Sequence, residues 1–250
     1  MINLENKTVV ITGGGSGVGQ TIVKTFAEAK ANVAFTYCSS IEKAEQLVSE
    51  LSDYNVKGYR VNQADIKTIK PVLETIRQDF GQIDILINNA GIYPNKPIKD
   101  LTEEDWDDMF DTNTKAVFFM SRSAYELMED NSKIVNISSI NATNPNPNLA
   151  HYGASKRAVE MITSSLAQDF GPKTRVNCIA PGLIYRQGIE KAIPTWVRSY
   201  KERSPLGSLV MPEEIANTAL FLASDLSSGI TGQTITVDKG ISLAAWFENN

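Results

Sequence analysis

The sequence predicts an α/β protein built on one doubly wound parallel sheet of about seven strands. Three observations carry this expectation. Short apolar runs alternate with longer helical patterns along the whole chain. The apolar runs are mostly unbroken rather than alternating, as strands covered on both faces require. A glycine-rich loop, Thr12-Gly13-Gly14-Gly15-Ser16-Gly17-Val18-Gly19, joins the first apolar run to the first helical pattern with no linker between them.

Residues 8–12, 32–37, 57–61, 83–88, 133–138, 175–180 and 234–237 read as strands. Helical patterns fall between them at 18–29, 41–51, 69–80, 103–128, 152–170 and 212–223. Strand, helix and strand in repetition imply right-handed crossovers and a parallel sheet. Helix starts carry capping residues: Thr102 precedes Glu103-Glu104-Asp105, and Ser39 or Ser40 precedes Ile41. No internal boundary is visible, so residues 1–250 are expected to form a single domain. The least regular stretches, 92–101, 141–150 and 182–207, all follow strands and are expected to wall a ligand site. The last reads as a mobile lid, since structureless segments of that length are uncommon unless functional.

Composition narrows the functional classes. The chain has 250 residues, 42% hydrophobic and 21% charged, with a net charge of −5. It has no basic run or basic-aromatic stripe, which argues against nucleic-acid binding. No window approaches the ~20 apolar residues of a membrane helix, and the opening residues lack a signal-peptide pattern. A cytoplasmic protein is therefore expected. Cys38 and Cys178 lie far apart beside strand-like sequence and read as small buried hydrophobes, not as a disulfide or metal site.

The chemistry is concentrated in a few short motifs. Glycines after a strand let the backbone approach a pyrophosphate, and the following helix N-terminus favours its charge. Asn88-Asn89-Ala90-Gly91 ends another strand, where paired amides suit either a ligand or loop backbone. Asn113 interrupts a helical pattern that asparagine disfavours, which points to a local kink or a bond to backbone. Ser138-Ser139 ends the fifth strand, with Asn136 and Ser138 reading as structural neighbours of Ser139. Thirteen residues on, Tyr152 and Lys156 stand one helical turn apart. A phenol ordinarily titrates near ~10, too high for efficient acid–base work at neutral pH, and a neighbouring ammonium lowers it. The only histidine, His151, adjoins Tyr152 but faces another direction on a helix, so it is assigned no catalytic function.

This ordered set resembles the classical short-chain dehydrogenase/reductase family, over nearly the whole chain. The matching positions are Thr12 to Gly19, Asp65, Asn88 to Gly91, Asn113, Ser139, Tyr152 with Lys156, and Pro181-Gly182. The resemblance implies a single-domain Rossmann fold and an Asn113–Ser139–Tyr152–Lys156 tetrad. Tyr152 would exchange a proton with the substrate oxygen as hydride moves to or from a nicotinamide. Ser139 would bond that oxygen, Lys156 the nicotinamide ribose, and Asn113 a water leading to solvent. Cofactor contacts are expected from Thr12, Gly13, Gly15, Ser16, Gly17, Val18 and Gly19 in the loop. Further ones are Tyr37, Ser39 and Ser40 at the ribose, and Asp65 at the adenine. Asn89, Ala90, Gly91, Pro181, Gly182 and Ile184, together with Tyr152 and Lys156, complete the expected set.

Several details bear on specificity. Enzymes that use NAD carry an acidic residue about 20 positions past the glycine motif, but Phe35-Thr36-Tyr37-Cys38-Ser39-Ser40 contains none. The basic residue that usually marks NADP use is also missing from the loop and from the positions after Tyr37. Ser39, Ser40 and the Tyr37 backbone are neutral donors, and the balance favours NADP over NAD. Arg186 stands where relatives often have threonine, Ala142 where they often have glycine, and Asp238-Lys239-Gly240 replaces Asp-Gly-Gly. Within the family the chain most resembles 3-oxoacyl-[acyl-carrier-protein] reductases, yet Glu129-Asp130 would repel an acidic carrier protein. The expected activity is NAD(P)-dependent oxidoreduction of a small-molecule carbonyl or secondary alcohol. A carrier-protein ketoreductase and a non-catalytic nucleotide sensor are the alternatives. A homotetramer is expected through the helices at 103–128 and 152–170, aided by the apolar tail at 241–247.

Overall fold

The computed structural model describes residues 2–243. Its centre is a seven-stranded parallel sheet in the order β3-β2-β1-β4-β5-β6-β7. Along the chain, β1 (Thr8–Ile11) leads to α1 (Val18–Glu28), β2 (Asn32–Tyr37), α2 (Ile41–Glu50), β3 (Val56–Arg60) and α3 (Ile69–Phe80). The second half begins with β4 (Ile83–Asn88), α4 (Glu103–Phe110), α5 (Ala116–Leu127), β5 (Met128–Ile137) and α6 (Ala150–Phe170). It closes with β6 (Thr174–Pro181), α7 (Ile189–Ala192), α8 (Pro194–Arg203), α9 (Pro212–Ala223) and β7 (Thr234–Val237). The order reverses between β1 and β4, and a crevice opens there at the carboxyl ends of the strands.

The sheet is buried on both faces, which explains the unbroken apolar strands. One layer packs α1 and α9 through Ile22, Val23, Phe26, Ile215 and Leu222 onto Val9, Ile11 and Ile85. The other packs α3, α5 and α6 through Leu73, Ile76, Met120 and Leu166 onto Val10, Leu86 and Ile134. A buried polar network ties this second layer to the sheet. The Asn88 amide donates to Ser121 at 2.9 Å and to Asn136 Oδ1 at 2.8 Å, and the Asn136 amide donates to Thr163 at 2.9 Å.

The structure departs from the sequence-based expectation in five places, the first being Cys38, which is exposed where only Cys178 is buried. The helix expected at 103–128 is broken by a π turn at Asp111–Lys115, which holds Asn113. The fifth strand starts at Met128, but its register with β4 shifts between Ile83 and Ile85, so regular pairing begins only at Lys133. The segment 182–207 is not structureless: α7 and α8 pack through Ile189, Val197 and Tyr200 onto Leu209, with Pro194 starting α8. Ser40 precedes α2 without capping it, whereas Thr102 and Asp105 form a full capping box on α4. Of the apolar tail, residues 244–247 lie outside the described residues.

The network makes a stability prediction. Asn136→Ala would leave a buried Asn88 N–H unpaired and open a cavity, costing roughly 2–4 kcal/mol. Urea unfolding measures this, and a loss below about 0.5 kcal/mol, the scale of an ordinary surface change, would mean the network is not a stabilising unit.

Candidate active site

The glycine loop forms where β1 ends and α1 has no side chain to cap it. Gly17 occupies the N-cap position at φ 57°, which disfavours any residue with a Cβ, and no side chain caps the first turn. The N-terminal amides of α1 therefore face the crevice, as an anion site requires. Gly19 is needed for a different reason: a Cβ there would run into the Gly13 carbonyl oxygen. Ser16 is exposed on the loop, while Val18 packs against the core.

Thr12 and Asn89 brace this loop. The Thr12 hydroxyl accepts from the backbone N–H groups of Asn89 and Ala90, both at 3.0 Å. The Asn89 amide donates to the carbonyls of Thr12 at 2.9 Å and Gly13 at 3.3 Å. Both side chains thus fasten β1 to the end of β4. Of the two readings open for the paired amides, the structure gives loop bracing to Asn89 and core bonding to Asn88.

The end of β2 forms the second wall. A Cβ at Gly15 would stand 2.9 Å from the Tyr37 Cβ and 3.5 Å from the Ser40 Cβ, so the loop lies directly over these residues. The hydroxyls of Ser39 and Ser40 make no hydrogen bond among the described residues. Asp65 turns its carboxylate into its own turn and accepts from the Lys67 N–H at 3.1 Å, capping a short 3-10 segment. One charged group that the sequence reading did not place here is Arg60. It ends β3 opposite Tyr37, and its Nε donates to the Cys38 carbonyl at 3.3 Å. The signal for it was strand register rather than motif.

The tetrad residues converge on the end of β5 from three elements. The π turn carries Asn113 inward, fully buried, and such turns recur at functional sites. Its Oδ1 accepts from the Ile92 N–H at 2.8 Å, and its amide donates to the Ile92 carbonyl at 2.8 Å and to Ser155 at 3.2 Å. Asn113 therefore clamps the loop after β4 to helix α6. Both sequence readings hold, the kink and the backbone bond. Lys156 is buried, and its Nζ donates to the Ile137 carbonyl at 2.9 Å. Ser138 donates to the Lys156 carbonyl and to Glu160, each at 3.1 Å, confirming it as a structural neighbour. The Ser139 hydroxyl stands beside the Tyr152 phenol, close enough to act on its titration, and accepts from the Asn141 N–H at 3.2 Å.

Burial controls the protonation of both central groups. It pushes the Tyr152 phenol above its ordinary value, more strongly than the Ser139 hydroxyl acts the other way, with Tyr93 adding to the rise. It also pushes the Lys156 ammonium down to about 8. The expectation that Lys156 lowers the phenol is therefore not met by the protein alone. Nζ lies 5.9 Å from the Tyr152 ring centroid and is directed at backbone. The physical reason is that desolvating both groups outweighs their interaction at that distance. The phenol is held in its protonated form, ready to donate. His151 is fully buried, and neither ring nitrogen has a hydrogen-bond partner. Burial lowers its pKa, and the imidazole stays neutral.

The remaining expected residues line the far side of the crevice. Pro181 ends β6, and the Gly182 N–H donates to the Val237 carbonyl at 3.0 Å. A Cβ on Gly182 would collide with the Tyr200 hydroxyl, which donates to the Asp238 carbonyl at 2.6 Å. Ile184 pairs with Val210. Residues 182–207 form a docked helical segment rather than an open loop, and Arg186 is exposed on it.

A nicotinamide dinucleotide fits these residues. The uncapped helix N-terminus and glycine cradle suit its pyrophosphate. At Gly91 a Cβ would stand 3.0 Å from Asn113 Oδ1 and 3.3 Å from Lys156 Nζ, so glycine lets the loop pass close against both side chains. A doubly wound sheet with such a loop and a Ser/Tyr/Lys cluster at the switch point defines a dinucleotide-dependent oxidoreductase.

Comparisons with known proteins agree. Residues 13–242 match the family model described as enoyl-(acyl carrier protein) reductase. The 3-oxoacyl-[acyl-carrier-protein] reductase FabG of Thermotoga maritima is 38% identical over 245 residues, covering 96% of this chain and 99% of that protein. A short-chain dehydrogenase/reductase from Serratia marcescens superposes with a TM-score of 0.91 at 32% identity, covering 96% of this chain and 99% of that one. A short-chain dehydrogenase from Burkholderia cenocepacia, solved in complex with NADP, gives 0.91 at 29% identity over the same shares. The chain belongs to the short-chain dehydrogenase/reductase family, and it is an NAD(P)-dependent oxidoreductase. No helix among the described residues is long and apolar enough to cross a membrane.

The lowered lysine pKa sets the pH dependence of stability. Between pH 8 and 10.5 the unfolded chain keeps a proton on Lys156 that the folded chain has released. Raising the pH through that window therefore favours the folded state. Relative to Lys156→Met, the wild type should gain stability from pH 8 to 10.5 and show no relative change from pH 6 to 7. Urea midpoints across the range measure the difference, and a flat or falling one would show that the lysine is not desolvated.

Proposed function

We propose that this chain reduces a ketone on a small or medium-sized substrate, with NADPH as the preferred reductant. The feature that carries the reading is the desolvated Tyr152 phenol, its pKa raised by burial, with the Ser139 hydroxyl beside it. The two hydroxyls form a pair of donors for a carbonyl oxygen at the mouth of the crevice. Bound NADPH would supply the hydride to the carbonyl carbon. Tyr152 then gives its proton to the oxygen, and Ser139 steadies the charge that builds there. Lys156 holds the ribose on the nicotinamide side, and Asn113 keeps the loop and α6 in register, with a water path to solvent beside it. The loop residues Gly13, Gly15, Ser16, Gly17, Val18 and Gly19 are assigned to the pyrophosphate, and Ala90, Gly91, Pro181, Gly182 and Ile184 to the nicotinamide half. Asp65 stays at the adenine end as the residue that shapes its turn. Arg186, exposed at the edge of the site, is placed to meet a phosphate or an acidic substrate.

Tyr152→Phe should retain NADPH binding, followed by fluorescence titration, while turnover falls by on the order of 10²-fold or more. Near-normal kcat in that variant would refute the mechanism.

NADPH is preferred over NADH because no carboxylate stands between Tyr37 and Ser40 to repel a 2′-phosphate, and the Burkholderia cenocepacia neighbour is solved with NADP. A second reading, reduction of 3-oxoacyl thioesters on carrier protein, is favoured by the 38% identity to the Thermotoga maritima enzyme. The exposed Glu129 and Asp130 weigh against a carrier-protein dock. Comparing an acetoacetyl group on carrier protein with the same group on a short thiol separates the two. A higher kcat/KM on carrier protein would favour the second reading, and equal values the first.

We also propose a homotetramer paired through α5 and α6. Phe118 on α5 and Met161 on α6 are exposed at 36% and 65%, apolar surface that a two-fold partner would cover. Light scattering should return four chain masses, and a single mass would contradict the assembly.

A further inference from the structure

Arg60 takes no part in the chemistry described above, yet it occupies a specific place. It is the last residue of β3, and the sheet register sets it beside Tyr37, the last residue of β2. Its Nε donates to the Cys38 carbonyl at 3.3 Å. The guanidinium is thereby laid across the end of β2, over the turn Cys38-Ser39-Ser40. Its two terminal nitrogens have no partner among the described residues.

The opposite side of that spot is formed by the glycine loop, since a Cβ on Gly15 would fall 2.9 Å from the Tyr37 Cβ and 3.6 Å from the Ser40 carbonyl oxygen. The end of the second strand beside the loop is where a doubly wound sheet receives the adenosine ribose. Lys57, three residues earlier on β3, is engaged with Asp79 at 2.6 Å and with the Tyr59 ring, so it does not serve this spot.

We infer that Arg60, reaching in from the neighbouring strand, is the cation that reads the 2′-phosphate of NADP(H). The hydroxyls of Ser39 and Ser40 act beside it as neutral donors. With Nε spent on the Cys38 carbonyl, the two terminal nitrogens form a fork suited to two phosphate oxygens. The β2–β3 pairing holds that fork in place, so little side-chain freedom is lost on binding. The inference rests on the proposed NADP preference and adds the residue that creates it. It also explains how a chain without a basic residue in the loop or after β2 would recognise the extra phosphate.

Calorimetry on the full chain tests it, with NADPH, NADH, adenosine 2′,5′-bisphosphate and 5′-AMP as ligands. The wild type should bind NADPH more tightly than NADH. Arg60→Ala should raise the Kd for NADPH and for the bisphosphate about 10- to 100-fold, the range of a lost charged hydrogen-bond pair. NADH and 5′-AMP should change less than about twofold, which also shows that the variant is folded. Arg60→Lys should recover part of the loss, because it keeps the charge without the fork. Lys43→Ala, in the first turn of α2, should leave the preference for NADPH intact. If the wild type prefers NADPH and Arg60→Ala leaves that preference unchanged, the NADP reading stands and the role of Arg60 is overturned. Equal weakening of all four ligands would reduce Arg60 to a prop for the turn, overturning it as well. A wild type that binds NADH as tightly as NADPH would overturn both.

Discussion

The site depends on how the start of α6 is docked against the end of β5. The bond from Lys156 Nζ to the Ile137 carbonyl and the bond from Ser138 to the Lys156 carbonyl fix the same residue at its tip and at its backbone. Neither bond would hold in water, where the lysine would be solvated and the hydroxyl exchanged. Both persist because α6 is packed onto the sheet through Val159, Leu166 and Phe170. Apolar burial thus provides the dry setting, and the polar bonds determine where within it Tyr152 and Lys156 come to rest.

That docking constrains everything around it. The π turn is the means by which one helix crosses from α4 into α5 while delivering Asn113 to Ile92 and Ser155. The loop after β4 must pass within reach of Lys156, and Gly91 is the residue that lets it. The buried network from Asn88 through Asn136 to Thr163 extends the same clamp about two turns further along α6. A displaced network would therefore act on catalysis through the position of Tyr152, without touching a ligand.

Much of this was legible in the sequence, for identifiable reasons. The strands at 32–37, 83–88 and 234–237 and the helices at 69–80 and 212–223 were readable because local pattern and tertiary burial point the same way. The gathering of Asn113, Ser139, Tyr152 and Lys156 in one place was legible from family resemblance, carried by residue types at fixed spacings. The break at 111–115 left a trace, an asparagine among helix formers, but its π geometry follows from contacts with Ile92 that no local pattern contains. The segment 182–207 looked structureless because its helices are short and bury only a few side chains against Leu209. Arg60 was invisible for a different reason: it meets Tyr37 through strand pairing across more than twenty positions of chain. The direction of the phenol shift escaped as well, since spacing brings Lys156 near Tyr152 but does not reveal which of desolvation and attraction prevails.

The central claim is that burial, not the neighbouring ammonium, sets the charge of Tyr152 in the free protein and keeps it an acid. A tyrosinate absorbance titration of the cofactor-free wild type, with Tyr152→Phe subtracted to isolate the one phenol, measures this directly. The account predicts a titration above that of free tyrosine, which lies near ~10. A phenolate that forms below that value would show that Lys156 prevails over desolvation, and it would contradict the account.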